Sequence, residues 1–110
     1  MTGPAVPEVP VAQLPPDAAL LDVRESDEWI AGHAPGAIHL PMSELTGRMD
    51  ELPDHDPLYV VCRSGGRSAR VVAFLAGQGY PAVNVGGGMQ AWAREGRDVV
   101  AENGAEPQIV

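Results

Sequence analysis

Short apolar runs alternate with amphipathic stretches along most of the chain. The runs are "ALLDV" at 19–23, "LYVVC" at 58–62 and "AVNV" at 82–85. The run "LYVVC" is continuously apolar, which is typical of a strand buried on both faces of a parallel sheet, and "ALLDV" is a short, mostly apolar run of the kind expected for a buried strand. Three amphipathic stretches follow these runs and end in glycine, as helices often do, at 25–32, 67–79 and 86–96. Strands that alternate with helices predict an α/β fold with a mostly parallel sheet.

Weaker signals fill the gaps between these elements. A short extended piece is expected near 6–9, because five prolines among the first sixteen residues rule out a long helix there. A further short strand is predicted within "PGAIHLP" at 35–41, and the segment 42–52 is weakly helical. There is no internal repeat. We therefore expect one domain over 1–110, with its core at about 6–97 and an acidic tail at 98–110.

Composition and charge narrow the classes of function. The chain of 110 residues has a net charge of -8, which argues against a general nucleic-acid binder. No apolar run approaches the ~20 residues of a membrane-spanning helix, so no membrane partner is expected. The chain has no lysine, and three of its seven arginines (Arg63, Arg67 and Arg70) closely follow its single cysteine, Cys62. Cations gathered beside one thiol in an acidic protein indicate a small anionic partner, although Arg70 is better explained as a solvent-facing helix residue.

The sequence also gives an expectation for location and assembly. The first residues, "MTGPAVPEVP", lack a charged segment followed by an apolar one, which a secretory signal would require. A single cysteine cannot form an intramolecular disulfide, so nothing points to an oxidising compartment. We expect a cytoplasmic protein. The predicted helix faces show no large apolar patch, which favours a monomer.

The stretch "CRSGGRS", which joins a predicted strand to a predicted helix, carries the candidate chemistry. Its residues are Cys62, Arg63, Ser64, Gly65, Gly66, Arg67 and Ser68. In parallel α/β sheets, ligands bind at the carboxyl ends of the strands, where helices begin. The glycine pair allows the backbone to turn so that N–H groups, together with the helix N-terminus, form an anion-binding nest. A lone cysteine is commonly a buried structural residue, but the glycines and arginines favour a reactive thiol here.

Such a loop can activate a thiol without a histidine base. A free thiol has a pKa of ~8.5, and ionising about half of it at pH 7 requires ~2 kcal/mol of stabilisation of the thiolate. A helix N-terminus supplies about 0.3–1 kcal/mol, or up to ~2 kcal/mol when it is partly buried. Several N–H donors and a nearby guanidinium supply the remainder.

Other candidate residues favour structural roles. His33 and His39 lack the spacing of a zinc site and no second cysteine is present, so no metal is expected, and His33 is predicted to form hydrogen bonds that support the fold. The "GGG" at 86–88 matches neither common nucleotide-binding pattern, so it is not expected to bind a nucleotide. Asp54 and Asp56 lie between prolines and predict a turn rather than an acid–base pair.

Three motifs, in the same order along the chain, resemble those of the rhodanese family. "LLDVRESDEWIAGHAPGAIHLP" resembles the family's N-terminal signature, "CRSGGRS" its active-site loop, and "VGGGMQAW" its C-terminal segment. The resemblance covers nearly the whole chain. It implies a three-layer sandwich in which helices flank a five-stranded, mostly parallel sheet, and an activity that needs no metal or organic cofactor.

The length of the loop separates two chemistries within this resemblance. Four residues lie between Cys62 and Arg67, as in the sulfurtransferases, whereas the cysteine phosphatases have a loop one residue longer. The resemblance therefore implies transfer of sulfane sulfur from thiosulfate, or a related donor, to cyanide or a thiol through a Cys62 persulfide. A carrier or interaction module that serves an acceptor protein is the alternative. A phosphatase or arsenate reductase fits this loop less well.

The resemblance also implies roles for individual residues. Cys62 is the nucleophile, and the backbone N–H groups of residues 63–67 form the cradle around the persulfide. Ser68 begins the following helix, and Arg63 points to the entrance, where it attracts the anionic donor. Arg67 either faces the anion or pairs with Asp22, and both alternatives remain open at this stage. Asp22 and Arg24 are expected to brace the loop.

Overall fold

Five parallel strands form one sheet. The computed structural model describes residues 6–110. The strands are β1 (Glu8–Pro10), β2 (Leu20–Asp22), β3 (Ile38–His39), β4 (Leu58–Val61) and β5 (Ala82–Gly86). Their order across the sheet is β1-β5-β4-β2-β3, and each neighbouring pair is parallel. The prediction of an α/β fold with a five-stranded, mostly parallel sheet is confirmed.

Within the described residues, three α-helices connect or follow the strands. They are α1 (Ser26–Ala31), α2 (Gly66–Gly77) and α3 (Gly88–Arg94). Short 3-10 helices occupy Val11–Gln13, Met42–Gly47 and Met49–Glu51, so the weakly helical segment at 42–52 forms two tight turns instead of an α-helix. The prediction that Ser68 begins the second helix is wrong, because α2 already begins at Gly66. Ser68 therefore lies inside the first turn of α2.

Apolar side chains cover both faces of the sheet. Val60 belongs to one buried cluster with side chains of α2, including Leu75, while Val61 belongs to the other with Met89 of α3. Successive strand residues point to opposite faces, so a strand with a core on each side must be apolar at every position. This arrangement is the expected three-layer sandwich, and it explains the unbroken runs in the sequence. None of the helices within residues 6–110 is long and apolar enough to span a membrane.

The C-terminal segment at 98–110 is irregular, but it packs against α1. His33 and Val100 exchange two backbone hydrogen bonds, of 2.8 and 2.9 Å. Further along, the Gln108 N–H donates to the Ala31 carbonyl at 2.8 Å, and a Cβ at Gly32 would overlap the Gln108 carbonyl. The segment therefore lies across the end of α1, where Gly32 makes room for it.

His33 supports the fold by linking α1 to this C-terminal segment. Its ring stacks on Trp29 at 3.5 Å, and its Nε2 lies 2.7 Å from a carboxylate oxygen of Glu102. Its Nδ1 lies 3.0 Å from the Ala34 carbonyl. His39 stacks on Trp29 as well, at 4.6 Å. These contacts confirm the hydrogen-bonding role predicted for His33.

Candidate active site

Cys62 lies at the carboxyl end of β4, directly after Val61. Because β5 and β2 flank β4, the cysteine is near the middle of the sheet's carboxyl edge, where ligands bind in this class of fold. The residue is 1% exposed. The loop from Cys62 to Arg67 carries the chain from β4 into α2, and we call it the Cys62 loop.

Two groups donate hydrogen bonds to the Cys62 sulfur. The Gly65 nitrogen lies 3.1 Å from Sγ, and the Ser68 hydroxyl oxygen lies 3.2 Å from it. Burial raises the pKa of the thiol, but donation from the Ser68 hydroxyl and from the N–H groups of Ser68, Gly65 and Ser64 outweighs burial, so the pKa is lowered from its ordinary value. The loop therefore favours the thiolate, which is the nucleophilic form.

Ser68 has a role that the sequence analysis missed. Its place in the first turn of α2 directs the hydroxyl back towards the loop, within 3.2 Å of both Cys62 Sγ and the Gly65 carbonyl. A hydroxyl has a single proton to donate, so it can donate to only one of these acceptors at a time. The sequence gives no signal for this contact, since serine is also common where helices begin.

Ser68→Ala is expected to slow alkylation of Cys62 at neutral pH by about tenfold. One hydrogen bond to a charged group contributes about 1.5–3 kcal/mol, and 1.4 kcal/mol corresponds to tenfold. The lost bond favoured the charged form, so the midpoint of the rate–pH profile should move to higher pH. Iodoacetamide alkylation followed by mass spectrometry measures both quantities.

Ser64→Ala is the matched control for this variant. Ser64 is in the same loop, its side chain is exposed, and only its backbone N–H acts on the thiol. Removal of the Ser64 hydroxyl should therefore leave the pH profile of Cys62 alkylation the same as in the wild type. Equal profiles for wild type and Ser68→Ala would exclude the Ser68 hydroxyl as a support for the thiolate.

Backbone N–H groups at the start of α3 donate hydrogen bonds to carbonyls of the Cys62 loop. The Met89 N–H donates to the Cys62 carbonyl at 2.8 Å, and the Gln90 N–H donates to the Arg63 carbonyl at 2.9 Å. A trans peptide is planar, so a carbonyl that points to α3 directs the N–H of the next residue away from α3. The N–H groups of Arg63 and Ser64 therefore face the opposite side. The Ser64 N–H is one of the donors that lower the pKa of the thiol, so this opposite side is the thiol side.

Gly88 permits this close approach between α3 and the loop. Its φ is +57°, and a Cβ built on it would lie 2.4 Å from the Cys62 carbonyl oxygen and 2.7 Å from the Arg63 carbonyl group. Only glycine fits at such a distance. The segment "VGGGMQAW", which entered the sequence analysis as a family signature alone, thus forms the back wall of the site.

Arg67 takes neither of the two positions that the sequence left open. Its guanidinium forms a bidentate ion pair with the carboxylate of Glu28 in α1. The Nη1–Oε1 distance is 2.7 Å and the Nη2–Oε2 distance is 2.8 Å. The bond to Arg67 lowers the pKa of Glu28, although partial burial opposes it, and the same bond raises the pKa of Arg67. The charge of the Cys62 thiolate raises the pKa of Arg67 further, so this cation also lies within electrostatic reach of the sulfur.

Asp22 and Arg24 support α1, and within residues 6–110 no hydrogen bond joins either side chain to the Cys62 loop. Both Asp22 oxygens accept hydrogen bonds from Arg24, and the two side chains are fully buried. Arg24 also donates to carbonyls at the end of α1, those of Gly32 at 2.7 Å and Glu28 at 3.4 Å. The pair therefore fixes α1, and α1 reaches the loop through Glu28 and Arg67, so these contacts would support the loop indirectly.

The exposed side chain of Arg63 forms its hydrogen bonds at the surface of the protein. Its Nε donates to the Val110 backbone oxygen at 3.1 Å. With the Gln90 amide oriented to accept, the Gln90 oxygen lies 3.1 and 3.2 Å from the two terminal nitrogens of Arg63. Its guanidinium is thus held beside α3 and the C-terminal segment, a position that sequence reasoning had no means to find.

Known proteins share this fold and its motifs. The sequence profile of the family described as "Rhodanese-like domain" matches residues 11–95. A "Sulfurtransferase" from Allochromatium vinosum is 43% identical over 89 residues, which cover 80% of this chain and 83% of that protein. A solved structure of a rhodanese-related protein from Thermoplasma volcanium is 37% identical, with a TM-score of 0.79, and the match covers 86% of this chain and 97% of that one.

A third comparison concerns part of a larger protein. The NAD-dependent persulfide reductase from A. fulgidus is 32% identical with a TM-score of 0.68, and the match covers 79% of this chain but 16% of that one. Similarity to a protein named a sulfurtransferase supports sulfur transfer of the rhodanese type. With a profile match over most of its length and the Cys62 loop in place, this chain belongs to the rhodanese-like domain family.

Proposed function

We propose that the protein is a sulfurtransferase that carries sulfane sulfur as a persulfide of Cys62. The observation that carries this proposal is a buried thiol at the carboxyl edge of a rhodanese-like sheet, with the Gly65 N–H and the Ser68 hydroxyl 3.1 and 3.2 Å from its sulfur. Four residues separate Cys62 from Arg67, and the shorter loop favours a single sulfur atom over a phosphate. The similarity to proteins named for sulfur transfer and persulfide reduction supports the same chemistry.

The reaction is a double displacement at sulfur. The Cys62 thiolate attacks the outer sulfur of thiosulfate, the sulfur–sulfur bond of thiosulfate breaks, and sulfite leaves with the bonding electron pair. Cyanide or a thiolate then attacks the outer sulfur of the persulfide, and the electron pair of that bond returns to Cys62. No external oxidant or reductant is needed. The donors on the Cys62 sulfur, Gly65 N–H and Ser68 hydroxyl, stabilise the thiolate at the start and the end of each cycle.

The Cys62 residue is 1% exposed, which restricts how substrates approach. A donor must present its outer sulfur at the mouth of the loop, and a persulfide places the transferable sulfur one bond further out than Sγ. We place this chemistry in the cytoplasm, because a reducing compartment keeps a lone thiol available. The acceptor is cyanide, a small thiol or the thiol of an acceptor protein.

Thiocyanate formation from thiosulfate and cyanide tests the enzymatic form of this proposal. Turnover by the wild type that is absent in Cys62→Ser supports a sulfurtransferase with small substrates. Phosphatase turnover that Cys62→Ser abolishes would contradict the proposal. If Cys62 forms a persulfide but thiocyanate is not produced, the result would favour the alternative function, a carrier that passes sulfur to a protein acceptor.

Arg63→Ala is expected to raise the KM for thiosulfate several-fold more than the KM for an uncharged organic trisulfide. Arg63 directly follows Cys62 in the chain and carries an exposed cation, and such a charge attracts an anionic donor in a salt-dependent way. Arg70→Ala removes the same charge from an exposed position on α2 and serves as the control. Equal effects of Arg63→Ala on both donors would remove Arg63 from this role.

A further inference from the structure

A buried asparagine interrupts the apolar run of β5. Asn84 is 1% exposed, whereas a strand covered on both faces is otherwise apolar. A buried amide is unfavourable unless it forms hydrogen bonds, so its partners are informative. One partner lies in the Cys62 loop, and the other lies on β1, the strand that pairs with β5.

The two amide protons of Asn84 have separate acceptors. Nδ2 lies 3.2 Å from the Gly65 carbonyl oxygen and 2.8 Å from a carboxylate oxygen of Glu8. Glu8 is the direct neighbour of Asn84 across the β1–β5 pairing. The Asn84 oxygen, Oδ1, has no hydrogen-bond partner among the described residues 6–110.

Glu8 determines which side of the amide faces the loop. A carboxylate can only accept, so the NH₂ group of Asn84 must point towards it. The same NH₂ group then offers its second proton to Gly65. If the amide were flipped, the Asn84 oxygen would face two other acceptor oxygens, which is unfavourable. The NH₂ group would then take the place of Oδ1, where no hydrogen-bond partner lies among residues 6–110.

The Gly65 carbonyl in turn fixes the backbone of the cradle. It accepts from Asn84 Nδ2 at 3.2 Å and from the Ala69 N–H at 3.1 Å, and it accepts from the Ser68 hydroxyl only when that proton is not donated to the Cys62 sulfur. In a planar trans peptide the Gly66 N–H points opposite to this carbonyl. Gly65 itself has a φ of +112°, and its own N–H donates to the Cys62 sulfur. Holding its carbonyl therefore fixes the Gly66 N–H directly, and it limits the rotation about the Gly65 backbone that would move the Gly65 N–H away from the sulfur.

From this geometry we propose that Asn84, oriented by Glu8, is a positioning residue for the Cys62 cradle. It acts through the Gly65 carbonyl and does not touch the sulfur. Its importance for sulfur transfer rests on the proposed function, but its effect on the thiol does not. The two can be tested separately, because alkylation of Cys62 requires no sulfur donor.

The test compares the pH profile of iodoacetamide alkylation in wild type, Asn84→Leu, Glu8→Ala and Glu8→Gln. Leucine matches the size of asparagine without donating, so Asn84→Leu should move the profile to higher pH. At pH 7 alkylation should slow about three- to tenfold, since one hydrogen bond contributes about 0.5–1.5 kcal/mol. Glu8→Ala should move the profile in the same direction, and Glu8→Gln, which keeps an acceptor oxygen, should restore it.

Leu14→Ala is the control for a merely structural effect. Leu14 is 7% exposed after the 3-10 helix at Val11–Gln13, in the buried cluster that does not contain Cys62, so its truncation destabilises the core away from the thiol. It should leave the alkylation profile unchanged. If Asn84→Leu does not fold, the two variants at the exposed Glu8 provide the test instead. A wild-type alkylation profile in both Glu8→Ala and Glu8→Gln would overturn the proposal. A wild type that fails to form a persulfide would refute the proposed function, while a shifted profile would still support the role of Asn84.

Discussion

Asp22→Ala is expected to lower the free energy of unfolding by about 3–5 kcal/mol, because it leaves the Arg24 guanidinium buried without its carboxylate. Both side chains are fully buried, and Asp22 accepts from the backbone and the guanidinium of Arg24. A domain of this size is stable by only about 5–15 kcal/mol, so the variant should approach the limit of folding. Urea denaturation followed by circular dichroism measures the change.

The double variant Asp22→Leu, Arg24→Met is the informative companion. It removes both charges together, and apolar replacement of a buried pair is often close to neutral. It should be more stable than Asp22→Ala alone, even though the bonds from Arg24 to the end of α1 are lost. A loss below about 1 kcal/mol in the single variant, or a greater loss in the double, would contradict the assigned role.

Gly88→Ala is expected to destabilise the fold by roughly 2–5 kcal/mol and to disturb the thiol at the same time. The new Cβ would overlap the Cys62 and Arg63 carbonyls, and position 88 has a left-handed backbone with φ +57°. Relief of this overlap must separate α3 from the Cys62 loop. Denaturation should therefore show reduced stability, and alkylation of Cys62 should slow as its donors move.

Gly96→Ala separates the two contributions at position 88. Gly96 has a similar φ of +74°, but a Cβ there would have no neighbour within 4 Å. It should show only the backbone penalty of about 1–2 kcal/mol and an unchanged alkylation profile. Equal losses in the two variants would mean that contact with the loop carbonyls has no part in the effect.

The sequence was sufficient to predict elements whose signals are local. The run "LYVVC" predicted β4 because a core on both faces demands apolar residues at successive positions, and Gly32 predicted the end of α1. The segment at 42–52 was harder to assign, since its propensities are weak and its chain forms 3-10 turns. Even the start of α2 was displaced, because Gly66 takes a helical position that glycine seldom favours.

The site itself depends on partners far apart in sequence. Glu28 reaches Arg67 over 39 positions and Asn84 reaches Gly65 over 19, and neither pair has a local signature. The sequence left two partners open for Arg67, the anion and Asp22, and the packing of α1 instead supplies Glu28. The Gly65 N–H on the sulfur was predicted from motif chemistry, whereas the Ser68 hydroxyl and the residues that hold the loop required the fold.

The central claim is that Cys62 accepts and releases a single sulfane sulfur. Intact mass spectrometry after incubation with thiosulfate tests it most directly, with wild type and Cys62→Ser compared before and after cyanide is added. The account predicts that the wild type gains one sulfur atom, that Cys62→Ser gains none, and that cyanide removes the added sulfur as thiocyanate. A wild type that gains no sulfur from thiosulfate, or a gain that persists in Cys62→Ser, would contradict it.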